Sequence, residues 1–434
     1  MSLKRVVVTG MGALTPIGNN VPDFWNSLIS GKSGAGPITR FDASKFKTRF
    51  ACEVKNLDIP RFIDRKDMNR MDLFSQYAVI ASDEALQDAG LLDILYKKKD
   101  GKIIEDQDDI DLERIGVIWG SGIGGTNTFF SQSVNFANGD GTPFFVPLTI
   151  PKLIASIAPG LITMRYGIHG ISFLTMSACA SSNHAIIDAL NYIRLGKADI
   201  IIAGGSEASV NEISVGSFNS LQALSTRNDD PLTASRPFDK DRDGFVMGEG
   251  AGALILEEYE HAIKRGAKIY AEVAGGGISS DSYHLTAPHP DGLGAQLVIK
   301  NALADANLGI KDIDYINLHG TSTPIGDGIE VKAIQEVFKE YAYNINLSST
   351  KSMLGHLLGA SGAIEAIASI KALLEGIIPP TINHFTDDES IDNKLNFTFN
   401  KAQKRDKMRA AISNTFGFGG HNTCVVLKKL GKIV

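Results

Sequence analysis

The chain has 434 residues, of which 43% are hydrophobic and 21% are charged, and its formal net charge at pH 7 is −6. This composition is typical of a globular protein, and the negative charge argues against non-specific binding of nucleic acid. The three cysteines are too few and too scattered for a disulfide framework, and no apolar run approaches the roughly 18 residues of a membrane span, so we expect a cytoplasmic protein without membrane insertion.

Short β-branched runs alternate with longer helical patterns, which predicts an α/β fold with buried, largely parallel strands. The predicted strands are Val6–Thr9, Ile115–Trp119, Ser172–Met176, Ile200–Ala203, Ala253–Leu256, Tyr315–Leu318, Asn346–Ser349 and Ala410–Ser413. Helices are predicted over Asp72–Ala89, Ala185–Leu195 and Gly355–Glu375. A glycine directly follows each of the first two, as is common where a helix ends.

The segment Lys97–Asp111 contains four lysines and six acidic residues and little else. Because such a charge run rarely packs into a core, we interpret it as a solvated surface insertion.

A faint internal repeat divides the chain. Arg5–Gly12 is a β-branched run that ends in glycines, and Lys268–Gly277 has the same character. We interpret this as a duplicated α/β unit with a junction near Tyr259–Ala267. The predicted halves are residues 1–262 and 263–434.

A single cysteine, Cys179, lies among small residues in Ser177–Ser182, between a predicted strand and a predicted helix. Unpaired N–H groups and the dipole at a helix N-terminus favour an anion, so this position is expected to lower the pKa of a thiol. The small neighbours leave room for a ligand and favour a nucleophile. The alternative is a buried structural cysteine, the usual role of a lone one.

Two histidines occupy glycine-flanked settings in the second half. His319 follows the strand Tyr315–Leu318, and ligands of α/β proteins commonly bind at the carboxyl ends of strands; a histidine satisfied by a backbone carbonyl is the alternative. His356 is placed inside the predicted helix that begins at Gly355. Lys351 is either a surface lysine or a charge that tunes the imidazole, and Glu365 is either an ion-pair partner of His356 or solvent-facing.

Two other classes of site fit the sequence less well. Gly120–Gly125 fits the G-x-G-x-x-G pattern of dinucleotide sites, but the next acidic residue, Asp140, lies in a loop instead of ending a second strand. The glycines therefore favour a loop that approaches an acyl chain. His284 and His289 share one loop without a cysteine partner, and the candidate residues lack zinc-ligand spacing, so no metal site is predicted.

Phe418 lies between Gly417 and Gly419. Glycines let backbone N–H groups face a ligand, as an oxyanion hole requires, and an aromatic ring on such a loop can act as a gate. A turn with a buried aromatic is the alternative. One thiolate that holds an acyl group and two imidazoles that polarise a second substrate together indicate carbon–carbon bond formation on thioesters.

These motifs together resemble the 3-oxoacyl-[acyl-carrier-protein] synthases, the elongating condensing enzymes of dissociated fatty-acid synthesis. The resemblance rests on Val8–Gly12, Trp119–Gly125, Ala178–Ser181, Arg236–Asp239, Gly244–Gly250 and the motifs around His319, His356 and Phe418. It implies the thiolase fold, in which two similar α/β halves form five αβαβα layers, and assembly as a homodimer.

The resemblance also implies roles for the catalytic residues. Cys179 would accept the acyl group, His319 and His356 would serve decarboxylation, and Lys351 and Glu365 would support the site.

Further roles follow for the residues around the substrate. The backbone amides of Cys179 and Phe418 would form the oxyanion hole, and Phe418 would be the gate beside a second mobile loop, Asp281–His289. The predicted substrate-binding residues are Ile123, Thr321, Thr323, Asp281 and Gly419, with Ile123 in the acyl pocket and the threonines on the phosphopantetheine arm. The predicted carrier-docking residues are Arg65, Lys66 and Arg70. His421 departs from the family pattern, because many members have threonine there.

The implied reaction passes an acyl group from acyl carrier protein to Cys179 and then condenses it with the enolate formed by decarboxylation of malonyl carrier protein. No metal or organic cofactor is expected, since the carrier brings the pantetheine arm. A degradative thiolase would need a second catalytic cysteine, but Cys424 lies in a predicted strand. A non-catalytic partner subunit would lack the nucleophile, and a cysteine hydrolase would need water access and one histidine.

Overall fold

A computed structural model describes residues 3–100 and 110–431. The strands are β1 (Val6–Leu14), β2 (Gly36–Pro37), β3 (Phe50–Ala51), β4 (Ile115–Gly120), β5 (Ser172–Thr175), β6 (Ile200–Glu207), β7 (Gly250–Glu258), β8 (Ala271–Ser280), β9 (Ile313–Asn317), β10 (Asn346–Ser348), β11 (Ile377–Ile378), β12 (Gln403–Lys404), β13 (Ala410–Gly417) and β14 (His421–Lys428).

The α-helices are α1 (Val21–Ile29), α2 (Arg65–Met68), α3 (Leu73–Asp88), α4 (Leu92–Lys99), α5 (Thr126–Ala137), α6 (Thr149–Leu153), α7 (Ile157–Tyr166), α8 (Ser181–Arg194), α9 (Glu212–Ser220), α10 (Tyr259–Lys264), α11 (Leu293–Asp305), α12 (Gly326–Phe338), α13 (Lys351–Leu354) and α14 (Ser361–Glu375). The predicted strands correspond to β1, β4, β5, β6, β7, β9, β10 and β13, so their existence is confirmed; β5, β9 and β10 end one residue before the predicted ends. Within the described ranges, no helix combines the length and apolar composition that a bilayer span requires.

The main sheet repeats one topology twice. Its strand order is β5-β4-β6-β7-β1 in the first half and β10-β9-β13-β14-β8 in the second. In each half the first two pairings are parallel and the other two antiparallel, so the prediction of largely parallel strands is wrong. The half-sheets meet where β1 pairs with β8 over a short stretch. The two halves thus share strand order and strand direction, as expected from the faint repeat in the sequence.

Five layers result from helices on both sides of each half-sheet. Helices α8 and α14 lie between the half-sheets, and α14 residue Ile364 packs in one apolar cluster with Ile201 of β6 and Val425 of β14. The neighbouring Ile202 faces the opposite way and packs with Phe74 of α3, because successive strand residues point to opposite faces. Helices α11 and α12 cover the second half-sheet. The predicted αβαβα arrangement is confirmed.

The helix predicted over Gly355–Glu375 begins instead at Ser361. Gly355 has φ +68° and ends the short helix α13, which starts at Lys351. A left-handed residue cannot continue a right-handed helix, and glycine adopts that conformation at little cost. His356 therefore lies in the loop between α13 and α14.

The predicted insertion lies partly outside the described residues, since residues 101–109 are not among them. Its first three lysines belong to α4. The predicted division between residues 262 and 263 falls within α10 and stays a prediction.

Candidate active site

The cysteine and both histidines converge at one point between the two halves. Cys179 Sγ lies 3.0 Å from His356 Nε2, and the rings of His319 and His356 have centroids 5.4 Å apart at 85°. All three residues are buried. The predicted constellation is therefore brought together although its members lie far apart in sequence.

A tight turn presents Cys179 between β5 and α8. The preceding Ala178 has φ +51°, a left-handed conformation that is unfavourable for a residue with a Cβ and that occurs where strain serves a site. The Ser181 hydroxyl fixes the turn, because it accepts from Ser177 N–H (2.9 Å) and donates to the Ala178 carbonyl (2.7 Å). A Cβ at Gly417 would lie 2.7 Å from the Ser177 carbonyl oxygen and 3.2 Å from Cys179 N, so this position requires glycine.

The electrostatic environment of the thiol differs from the expectation. Burial raises the pKa of Cys179 to about 12, against the lowering effects of the Lys351 charge and of the backbone N–H groups of Phe418 and of Cys179 itself. The predicted low thiol pKa is wrong, because desolvation of the anion outweighs these favourable charges and dipoles. The two amides that face the sulfur are nevertheless those predicted for the oxyanion hole. The thiol needs a base, and His356 Nε2 lies within hydrogen-bond reach of it.

Both histidines are held neutral. Burial lowers the pKa of His319 and of His356 well below the usual value, and the Lys351 charge acts in the same direction. His356 is oriented on its far side by Ser361, whose hydroxyl lies 2.9 Å from Nδ1. Neutral imidazoles can accept a proton from a thiol or donate a hydrogen bond to a developing anion.

Lys351 and Glu365 form a buried ion pair with each other. Burial raises the pKa of Glu365 to about 7, and the Lys351 charge acts against this rise. The alternatives of a surface lysine, a solvent-facing glutamate or a Glu365–His356 pair are therefore wrong, because both side chains lie in the core between the half-sheets.

The site also contains Glu330, a residue that no sequence motif indicates. Its carboxylate accepts the backbone N–H groups of His319 and Gly320, both at 2.8 Å, and burial raises its pKa to about 7. It lies on α12, eleven residues after His319. A glutamate on an amphipathic helix is normally read as solvent-facing, and no local pattern indicates that this one fixes a strand end.

A cavity of about 560 Å³ opens in front of these groups. It is lined by Cys179, His319 and His356 and by the predicted substrate-binding residues Ile123, Thr321, Thr323 and Asp281, together with Phe418. Gly419 is different: it is exposed, does not line the cavity, and its N–H donates to the Leu285 carbonyl at 2.7 Å. It therefore connects the predicted gate to the loop Asp281–His289.

The predicted gate residue Phe418 is half-buried, and its ring lies 6.5 Å from the ring of Phe218. Its loop is also tied to the second predicted loop through Asp281, whose N–H donates to the Gly420 carbonyl at 3.0 Å and whose carboxylate accepts from Asn422 Nδ2 at 2.9 Å. The two loops are thus joined by hydrogen bonds at the wall of the cavity.

The predicted docking residues Arg65, Lys66 and Arg70 are exposed in or next to the short helix α2 and do not line the cavity. Arg70 lies 3.5 Å from Asp67, which neutralises part of the positive charge.

The glycine-rich loop after β4 does not offer its amides to a phosphate. Gly122 N–H and Ile123 N–H donate instead to the buried carboxylate of Glu207, at 2.7 Å and 3.3 Å. Cys424 is fully buried in β14 and is absent from the cavity lining, which disfavours a second catalytic cysteine. In residues 3–100 and 110–431, no group of three or more His, Cys, Asp or Glu side chains is arranged to hold a metal ion.

The chain is similar to known proteins along most of its length. Residues 3–262 match the family model described as "Beta-ketoacyl synthase, N-terminal domain", and residues 270–385 match "Beta-ketoacyl synthase, C-terminal domain". The chain is 48% identical to 3-oxoacyl-[acyl-carrier-protein] synthase 2 of Synechocystis sp., over 98% of each chain.

Two solved structures share the fold over nearly the whole chain. A beta-ketoacyl synthase from Burkholderia phymatum has a TM-score of 0.88 at 34% identity, with 99% of this chain and 100% of the other covered. A ketosynthase in complex with a type II PKS acyl-carrier protein has a TM-score of 0.87 at 32% identity, with the same coverage. With the cysteine and the histidine pair in place at the junction of two repeated halves, the chain belongs to the beta-ketoacyl synthase family.

Proposed function

We propose that the protein elongates acyl chains by condensing an acyl group from acyl carrier protein with malonyl carrier protein, releasing carbon dioxide and giving a 3-oxoacyl carrier protein. One observation carries the proposal: Cys179 and two neutral histidines line the same cavity. The Cys179 sulfur lies 3.0 Å from His356 Nε2. A hydrolase needs one base, whereas a second imidazole suits a second substrate.

In the first stage Cys179 attacks the thioester carbonyl carbon of the acyl carrier. The thiol proton passes to His356 Nε2, and the carbonyl oxygen becomes negative where the amides of Cys179 and Phe418 converge. The carbon–sulfur bond to the carrier then breaks, and the carrier thiolate takes up the proton. Stabilising charge only as it develops in the transition state is what raises the rate.

In the second stage malonyl carrier protein occupies the same cavity, with Thr321 and Thr323 along the pantetheine arm. Loss of carbon dioxide leaves its electron pair on the enolate, whose oxygen receives hydrogen bonds from His319 and His356. For this step the ring proton of His356 has moved from Nδ1 to Nε2, and Nδ1 accepts from the Ser361 hydroxyl. One such donor is typically worth about 3 kcal/mol. The enolate carbon attacks the carbonyl carbon of the acyl-cysteine, the carbon–sulfur bond breaks, and the Cys179 sulfur leaves as a thiolate that takes up a proton from water. No metal or organic cofactor takes part in this scheme.

The proposal includes two protein partners. Arg65, Lys66 and Arg70 would attract the acidic acyl carrier protein. A second copy of the chain would pair along β5, one of the two edge strands of the main sheet, because edge strands favour pairing and β5 is partly exposed, whereas β10 at the other edge is buried. A cytoplasmic location is part of the proposal, since all three cysteines are free and a reducing compartment keeps them so.

The substitution Cys179→Gln tests the scheme. It removes the acyl acceptor and leaves the histidines and oxyanion donors in place, so condensation should disappear while malonyl carrier protein still releases carbon dioxide. Cys52→Ser, a change at another buried cysteine that does not line the cavity, is the matched control and should keep condensation. Loss of carbon dioxide release together with condensation would refute an independent decarboxylating pair.

A further inference from the structure

Glu207, the last residue of β6, has a fully buried carboxylate that the mechanism above does not use. Burial raises its pKa. A carboxylate in such a position is costly unless hydrogen bonds surround it. What surrounds it connects two separate loops.

One oxygen of the carboxylate joins the loops directly. Glu207 Oε2 accepts Gly122 N–H of the loop after β4 at 2.7 Å and Gly359 N–H of the segment after His356 at 3.1 Å. The loops touch backbone to backbone there, because a Cβ at Gly359 would lie 2.1 Å from Gly122 N. Neither loop can move far while this oxygen holds both.

The other oxygen fixes the residue next to Gly122. Glu207 Oε1 accepts Ile123 N–H at 3.3 Å, the Ser209 hydroxyl at 3.1 Å and the Ser121 hydroxyl at 3.4 Å. The carboxylate thereby receives five donors from three segments of the chain.

Both loops supply apolar side chains to the cavity. Ile123 and Leu358 line it and pack in one apolar cluster with Phe245 and Phe218, which line it too. Leu358 is held at φ +47°, an unfavourable conformation that needs support from its surroundings. The carboxylate provides that support from behind the wall, without touching the cavity itself.

We infer that Glu207 is a positioning residue that sets the acyl-chain preference, because it fastens the two loops that place Ile123 and Leu358 in the cavity wall. This inference rests on the proposed function, in which the apolar part of the cavity receives the acyl chain. A cavity wall that is held in place limits the number of methylene groups of the acyl chain that fit. If the wall is loosened, Ile123 and Leu358 can move and the cavity accepts longer chains.

The variant Glu207→Gln tests the inference. Its amide oxygen can keep the bonds from Gly122 and Gly359, but its NH₂ group must then replace Oε1, where it meets Ile123 N–H as a second donor. The two serine hydroxyls can rotate to accept, whereas the Ile123 amide cannot. The substitution therefore loosens Ile123 selectively.

The rate of Cys179 acylation is measured with long-chain and medium-chain acyl carriers. The ratio of the long-chain to the medium-chain rate should rise on the order of tenfold, the size of effect that one methylene group's fit carries in an apolar pocket. Ser209→Ala, which removes one donor to Oε1, should shift the ratio in the same direction by less, and it decides the question if Glu207→Gln does not fold.

Glu84→Gln is the matched control, because Glu84 also bridges two segments by accepting backbone N–H groups, from Val21 and Ala13, away from the cavity. Its ratio should equal that of the parent. If the folded Glu207 and Ser209 variants lower both rates by one common factor, Glu207 does not set the chain preference. A parent protein that accepts no acyl group from any carrier would instead refute the proposed function.

Discussion

Replacing Lys351 with methionine removes one charge from the buried pair with Glu365 while nearly preserving the side-chain volume. In the parent, burial raises the pKa of Glu365 from 4.5 to about 7, and the Lys351 ammonium opposes this rise. Without the ammonium the pKa of Glu365 rises further, so the variant keeps this carboxyl protonated to higher pH.

The expected loss of stability has a defined pH dependence. A carboxyl with a folded-state pKa above its unfolded value destabilises the fold as pH rises, by about 1.4 kcal/mol per pH unit, until pH passes the folded pKa. In the parent this loss levels off near the Glu365 pKa of about 7, whereas in the variant it continues. The stability gap between the two should therefore widen above neutral pH, by up to about 1.4 kcal/mol per pH unit, until pH reaches the raised pKa of Glu365 in the variant.

The measurement is chemical denaturation of both proteins at a series of pH values from mildly acidic to mildly alkaline. Lys332→Met is the control, because Lys332 pairs with Asp291 at 2.9 Å on the surface and both side chains are largely exposed. Its effect should stay within about 0.5 kcal/mol at every pH. If the difference in stability between the parent and Lys351→Met does not change with pH, the loss of the Lys351 charge does not act through the ionisation of Glu365.

Three further outcomes are expected. Because burial raises the pKa of Cys179 to about 12, its alkylation by iodoacetamide, followed by peptide mapping, should accelerate about tenfold per pH unit across the neutral and mildly alkaline range, and a plateau near neutrality would contradict the buried thiol. Phe418→Ala keeps the amide for the oxyanion but removes the ring, so release of carbon dioxide from malonyl carrier protein without an acyl donor should rise; an unchanged rate with normal condensation would make Phe418 a packing residue. Reversing the charges of Lys66 and Arg70 to glutamate should raise the KM for acyl carrier protein at low salt, with a smaller defect at high salt, and an equal KM at low salt would exclude this docking surface.

The sequence predicted the parts of the molecule that leave a local pattern. The β-branched runs marked the strands, and the small residues around Cys179 marked a turn with room for a ligand. The chemistry of one thiol and two imidazoles grouped Cys179 with His319 and His356, and the resemblance then gave each residue its role, since residues so far apart share no spacing rule.

The parts that were missed depend on contacts between distant segments. Glu330 and Glu207 are ordinary acidic residues in sequence, and only the fold shows that each is buried and gathers backbone N–H groups from loops around the cavity. The pKa of Cys179 was predicted in the wrong direction because a helix N-terminus can be read from sequence, whereas the degree of burial cannot. The start of α14 was predicted too early because the sequence does not show that Gly355 adopts φ +68°, a conformation that ends a helix.

The repeated half-sheets have a consequence for symmetry. At corresponding positions, after β5 and after β10, one copy carries Cys179 and the other Lys351 and His356. In a pair of identical separate chains, every residue gained by one copy would also appear in the other, and the shared cavity would hold two nucleophiles or two sets of bases. When the two copies are joined in one chain, a residue can change in one copy without changing in the other. Each copy has become specialised while the backbone frame stays symmetric, and the asymmetric chemistry follows from covalent linkage of the two.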